Sequence, residues 1–152
     1  MGTRHLRSIR LLAECMQLFE QASARQVKQF GLTHPQFDIL ATLGNTAGMT
    51  CKELGEKTLI TKGTLTGVLD RLEQKGIVER ERGNCDRRQL FIKLSPYGQA
   101  TFEKIFPQIV ENGTQAFLDY TSADYLALET MLGTLKQNLT ALQAAPLSCP
   151  KP

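Results

Sequence analysis

Residues Ile77–Ser95, IVERERGNCDRRQLFIKLS, decide how this 152-residue chain is read. Two short runs rich in β-branched and apolar residues, Ile77–Arg82 and Gln89–Leu94, flank a polar tip of Gly83, Asn84, Cys85, Asp86, Arg87 and Arg88. That pattern predicts a β-hairpin, because Gly and Asn tolerate the unusual backbone angles a tight turn demands. The tip carries two adjacent arginines, and the strands add Arg80, Arg82 and Lys93. One reading is a solvated edge hairpin whose charges keep other strands from pairing with it. The other is a hairpin that presents guanidinium groups to an anionic partner. The segments upstream choose between them.

Immediately before the hairpin, Leu65, Val68, Leu69 and Leu72 recur at helical spacing within Thr61–Lys75, with Thr61 at the N-cap and Gly76 as terminator. Further upstream, Thr50 and Glu53 form a capping box that opens a short helix, Cys51–Lys57, with Leu54 inward. Gly44–Gly48 separates it from a helix capped by Thr33, with Pro35 in the first turn and Phe37, Leu40, Ala41 and Leu43 on the inner face. Two helices joined by a tight turn, the second running into a hairpin, make a winged helix-turn-helix. The inward set leaves Lys62, Gly63, Thr64, Thr66, Gly67 and Arg71 at or near the opposite face. That face suits double-stranded DNA: threonine hydroxyls meet base edges and phosphates, and their methyls meet thymine methyls. Gly63 and Gly67 each weaken an isolated helix by roughly 1 kcal/mol relative to Ala. Close backbone approach to another surface would justify them, and so would helix packing.

LTHPQFDIL followed by TCKELGEKTLITKGTLTGVLDRLEQKGIVERERGNCDRRQLFIKLSPYG resembles the MarR family of bacterial winged-helix transcriptional regulators, closely over about Leu32–Pro107 and in outline beyond. DRLEQKGIVER, and Asp86-x-Arg88 followed by Leu94-Ser95, are the most specific parts. The resemblance implies that Arg88 enters a minor groove and that Asp86 orients it, and Arg87 beside them is expected to meet phosphate. It also places Thr61, Lys62, Gly63, Thr64 and Thr66 against bases and phosphates of the major groove. Arg71 has two readings, a DNA contact or a structural pairing with Asp70 or Glu73. Two positions depart from the family pattern. Ser95 replaces a usual Thr yet still caps a helix beginning at Pro96, and Gly67 stands where a basic residue is common.

The chain ends carry further helices. Leu6, Ile9, Leu12, Met16, Phe19, Val27 and Phe30 mark one long amphipathic helix ending at Gly31. Tyr125, Leu128, Leu132, Leu135, Leu139 and Leu142 step by 3, 4, 3, 4 and 3, a coiled-coil seam, with Ser122 as the expected cap. Such a seam packs either inside one subunit or against a second copy, and two surplus amphipathic helices favour a homodimer. Pro107 should kink or interrupt the Pro96–Tyr120 helical pattern. The expected organisation is thus mainly α, a winged helix-turn-helix with N- and C-terminal dimerisation helices. Residues 1–31 form the first dimerisation helix, 32–95 the DNA-binding domain, 96–143 the C-terminal helices and 144–152 a disordered tail. A two-fold dimer sets its recognition helices ~34 Å apart, so the operator should be pseudo-palindromic.

Composition excludes other classes. The net charge of +3 and pI near 8.7 are only mildly basic, but Arg71–Lys93 holds seven Lys/Arg against four Asp/Glu. No long apolar window or leader is visible, so a soluble cytoplasmic protein without membrane contact is expected. Four scattered cysteines and two histidines assemble neither a metal site, a disulfide framework nor a catalytic triad. No cofactor or enzyme activity is expected. A winged-helix protein-interaction module is the rival reading, disfavoured by a wing tip with no apolar residue. For regulation, the resemblance implies a small amphipathic or anionic effector between the dimer helices and the DNA-binding lobe, with Arg10, His34 and Phe37 as candidate contacts. A thiol switch is the alternative: Cys51 falls in a helix first turn beside Lys52, and Cys85 lies beside Arg87 and Arg88. The spacing of Cys15 to Leu32-Thr33 does not match the peroxide-sensing cysteine of the family's organic-hydroperoxide branch.

Overall fold

Glycine turns end two of the helices by the same pair of bonds. After the first helix, Gly31 N–H donates to Lys28 O at 3.0 Å and Leu32 N–H to Val27 O at 3.2 Å. Before the wing, Gly76 N–H donates to Glu73 O and Ile77 N–H to Leu72 O, both at 2.9 Å. Both glycines sit at φ +72°, where a side chain would be strained. The computed structural model describes residues 2–83 and 88–144. Their order is α1 (Arg4–Lys28), α2 (His34–Leu43), β1 (Met49–Thr50), α3 (Cys51–Thr58), α4 (Lys62–Gln74), β2 (Val78–Arg82), β3 (Leu90–Leu94), α5 (Pro96–Thr114), a 3-10 turn (Gln115–Phe117) and α6 (Ser122–Ala144). The fold is mainly helical with one small antiparallel sheet, as expected.

The predicted hairpin forms, pairing Val78 with Leu94 and Arg82 with Leu90. Beside β3 lies a strand the sequence did not reveal: β1 pairs Met49 with Ile92 and Thr50 with Phe91, giving the order β1-β3-β2. Two residues are too few to show alternation, and Thr50 also caps α3. Both predicted capping boxes are present, Thr33 with Gln36 and Thr50 with Glu53. The bonds from Thr50 hold the Glu53 carboxyl below its ordinary pKa.

One hydrophobic cluster joins these elements. Ile39, Leu40 and Leu43 of α2, Leu54 of α3, Leu69 and Leu72 of α4, Ile92 of β3 and Ile105 of α5 are almost wholly excluded from water. Each such side chain contributes about 1.5–3 kcal/mol on burial. The chain divides into two compact units, the first ending at Gly113 and the second beginning at Thr114. In the second unit Phe117, Tyr120 and Tyr125 form an aromatic cluster, with ring centroids 5.1 to 5.6 Å apart.

Three local expectations are corrected. Thr61 occupies the N-cap position of α4 without capping it, since its hydroxyl donates to the Thr64 hydroxyl at 3.1 Å. The residue that caps α6 is Thr121 and not Ser122: Thr121 Oγ1 accepts from Asp124 N–H at 3.3 Å, and the Asp124 carboxylate accepts from Thr121 N–H at 2.8 Å. Of the two effects expected of Pro107, a kink or an interruption, the interruption does not occur, because α5 runs through it to Thr114. The expected tail, 144–152, lies outside the described residues beyond Ala144.

Ser95 and Gly98 join the wing to α5. Ser95 N–H donates to Ile77 O at 3.0 Å, while its hydroxyl donates to Gly76 O and accepts from the buried Gly98 N–H at 2.9 Å. A Cβ on Gly98 would stand 2.0 Å from Ile77 O, a backbone atom that cannot swing aside. Gly98→Ala is therefore expected to destabilise by about 1–3 kcal/mol through overpacking. Ser95→Ala should cost about 1–2 kcal/mol through the orphaned N–H, whereas Ser95→Thr keeps the hydroxyl and most of the stability. Urea denaturation checks this, and an unchanged midpoint for Gly98→Ala would contradict the packing described.

Candidate nucleic-acid interface

The recognition face is built by what α4 buries. Leu65, Val68, Leu69 and Leu72 turn into the core, so Thr61, Lys62, Gly63, Thr64, Thr66, Gly67 and Arg71 are all exposed. A Cβ placed on Gly63 or Gly67 would meet nothing within 4 Å. Helix packing therefore does not account for Gly67, and both glycines leave the backbone of this face bare. The turn into α4 is held by Ile60, packed against the core, and by Leu59, which takes a left-handed φ of +58° and is 89% exposed. A leucine with positive φ is uncommon and costs roughly 1 kcal/mol or more.

The wing is fastened to α4 by a residue that sequence reading treated only as a strand cation. Arg80 on β2 reaches Asp70 at 2.6 Å with Nη2 and Glu73 at 3.1 Å with Nη1, its side chain 22% exposed. The structural partner of Asp70 and Glu73 is thus Arg80, not Arg71, and Arg71 makes no ion pair among the described residues. Asp70 and Glu73 lie among the last five residues of α4 and Arg80 is the third residue of β2, but sequence spacing alone does not say which cation closes on the two carboxylates. Lys93 bridges Glu79, at 3.7 Å, and Glu81, and these bonds raise its pKa. Two of the three strand cations are thereby neutralised, which leaves Arg82 as the strand cation without an ion pair among the described residues. Arg88 is exposed beside the last rung of the hairpin, Gly83 N–H to Gln89 O at 2.9 Å. Asp86, Arg87 and Cys85 lie outside the described residues.

A cavity of about 780 Å³ lies within the same compact unit, between α1, the start of α2 and the α3–α4 turn. Met16, Phe19, Glu20, His34, Asp38 and Leu59 are among its walls. His34 is held by a bond between Nδ1 and Ser23 Oγ at 3.0 Å. Burial raises the Asp38 carboxyl above its ordinary pKa, and the charge of His34 tempers the rise. Of the three effector candidates, only His34 lines this space. Phe37 is a core residue, 8% exposed, and Arg10 pairs with Glu14 at 2.8 Å on the exposed side of α1. Asp38 escaped notice although it follows His34 by four residues and so shares its face of the helix.

Cys51 is half-buried and packs against the core, Cys15 is exposed on α1, and no cluster of metal-ligating side chains exists among the described residues. Nor is any helix among them long and apolar enough to cross a membrane. The terminal helices are conspicuously uncovered. Leu6 and Ile9 are 56% and 58% exposed, and α6 buries no residue at all. Leu132, Leu135, Leu139 and Leu142 face outward, Leu128 is half-buried, and Tyr125 leans on Phe117 and Tyr120.

Comparison with known proteins places this geometry. Residues 32–90 match the MarR family model. The chain is 34% identical over 114 residues to the organic hydroperoxide resistance transcriptional regulator of Bacillus subtilis, covering 72% of this chain and 76% of that protein. It is 32% identical over 106 residues to the homoprotocatechuate degradative operon repressor of Escherichia coli, covering 70% and 72%. The structure of a mutant MarR from Escherichia coli complexed with operator DNA superposes with a TM-score of 0.77 at 26% identity, covering 89% of this chain and 97% of that one. With a winged helix-turn-helix of this form and relatives of this kind, the chain belongs to the MarR family of transcriptional regulators.

Proposed function

We propose that this regulator is a repressor that occupies a pseudo-palindromic operator as a homodimer and is released by a small-molecule effector. The observation that carries the DNA reading is the recognition face of α4, small, polar and bare, with Gly63 and Gly67 over open space. In this account Thr61, Lys62, Gly63, Thr64 and Thr66 lie in the major groove, Arg71 meets the backbone, and Arg88 enters the minor groove with Asp86 orienting it and Arg87 on phosphate. Residues 32–95 form the DNA-reading segment, and residues 1–31 and 96–143 supply the dimer contacts. Leu6, Ile9, Tyr125, Leu128, Leu132, Leu135, Leu139 and Leu142 take part in them. Uncovered apolar helices support this, because burying them against a second copy removes a large apolar surface from water. A relative's operator complex and another relative's name as an operon repressor support the mode of action. The bound effector occupies the cavity beside His34. The reading gives the chain no catalytic role and no membrane partner, and it works in the cytoplasm, where its DNA is.

The glycines give a test that separates DNA contact from folding. Gly63→Ala and Gly67→Ala should each raise stability by about 0.5–1 kcal/mol, since the helix gains and nothing clashes. Both should nonetheless weaken binding to the chain's own upstream DNA in a shift titration. Variants that bind as tightly as the parent would take DNA off this face.

At the wing, Arg88→Ala should lower affinity strongly, because a guanidinium in a narrow minor groove meets enhanced negative potential. Arg87→Ala should act more weakly and equally on all sequences. Parent-like binding by both would dismiss the wing. For the dimer, Leu132→Asp should yield monomer or unfolded chain by sedimentation, with DNA binding lost, because it buries an unpaired charge. A stable operator-binding dimer would move the interface elsewhere.

A further inference from the structure

The walls of the α1–α2 cavity are unusual in their charge. Two carboxylates, Glu20 and Asp38, face it, and no lysine or arginine lines it among the described residues. Neither carboxylate has an ion-pair partner among those residues. Asp38 is half-buried, and burial already disfavours its charge. The one basic group on the wall, His34, is engaged through Nδ1 with Ser23. The remaining walls are largely apolar, with Met16, Phe19, Leu59 and Ile60 offering a surface for a ring or an alkyl chain. At about 780 Å³ the space is within the range of drug-sized ligands.

An anion entering this cavity would meet two carboxylates, with no lysine or arginine on the walls and only His34, already engaged with Ser23, to receive it. A cation would restore to Asp38 the stabilisation that burial removes. We propose that the effector of this protein is an organic cation, an ammonium shared by Asp38 and Glu20 whose apolar body rests on Met16, Phe19, Leu59 and Ile60. This goes against the amphipathic or anionic class expected from family resemblance, and it rests on the reading of the cavity as the effector site. The route to DNA is short. Leu59 and Ile60 form the turn that leads directly into Thr61 and Lys62, so a ligand pressing on Leu59 acts on the start of the recognition helix.

The test uses three probes with one ring system, titrated calorimetrically into the full chain at pH 7: 2-(2-naphthyl)ethylammonium, 2-(2-naphthyl)ethanol and 2-naphthylacetate. The ammonium should bind at least tenfold more tightly than the alcohol, and the carboxylate should bind most weakly. Asp38→Asn and Glu20→Gln should each reduce ammonium affinity about tenfold or more. Asp38→Asn should melt at or above the parent's temperature, because it removes a disfavoured buried charge, which separates lost binding from lost folding. Equal binding of alcohol and ammonium, or ammonium affinity untouched by both variants, would overturn the cation. Carboxylate binding that His34→Ala abolishes would also overturn it while leaving the cavity as the effector site. Binding of none of the three would remove both readings.

Discussion

The guanidinium of Arg80 is the interaction on which the DNA-reading part of this molecule depends. It spans from β2 to Asp70 and Glu73 of α4 and so ties the wing to the recognition helix. Its energy is modest. Both carboxylates are about half exposed, and ion pairs of that kind contribute on the order of 1 kcal/mol. Its consequence is geometric, because a planar guanidinium donating one bond to each of two carboxylates fixes an orientation as well as a distance. With the Gly76 turn below it and Ser95 bonded to Gly76 and Ile77 at the base of the hairpin, the wing has little freedom relative to α4. Two elements that address different grooves of one duplex need that relation held before DNA arrives.

Neutralisation within the wing sharpens the same picture. Lys93 sits between Glu79 and Glu81 and Arg80 between Asp70 and Glu73. The strands therefore contribute rigidity, and two of their three cations are already engaged. A count of basic residues along the hairpin overstates its pull on phosphate. The bare glycines of α4 act in the opposite sense to charge: they give up helix propensity and leave a surface that a nucleic acid can approach closely.

Much of this was legible in the sequence because the signals are local. Capping boxes at Thr33 and Thr50, terminating glycines at 31 and 76, and leucines at helical spacing in α4 each depend on neighbours a turn away. What escaped reading depends on distant partners. β1 exists only because β3 offers it a ladder edge. Which arginine would close on Asp70 and Glu73 turned on where β2 runs, and Thr121 outcompeted Ser122 as cap because Asp124 stands three residues on and returns the bond. Phe37 and Arg10 looked equally placed for a cavity until packing took the first into the core and Glu14 held the second outside it. Asp38 was hidden for the converse reason, a polar residue on a helix whose importance comes from α1 lying across it.

If Arg80 makes wing and helix one reading head, removing it should separate their contributions on DNA without unfolding the protein. The direct measurement is hydroxyl-radical footprinting of the parent and of Arg80→Leu on the chain's own upstream region. The account predicts that the parent protects two symmetric half-sites about one helical turn apart, each with a flanking minor-groove segment. In Arg80→Leu the flanking protection should fade while the central segments persist at higher protein concentration. Identical footprints from the two proteins, or no paired half-sites from the parent, would contradict it.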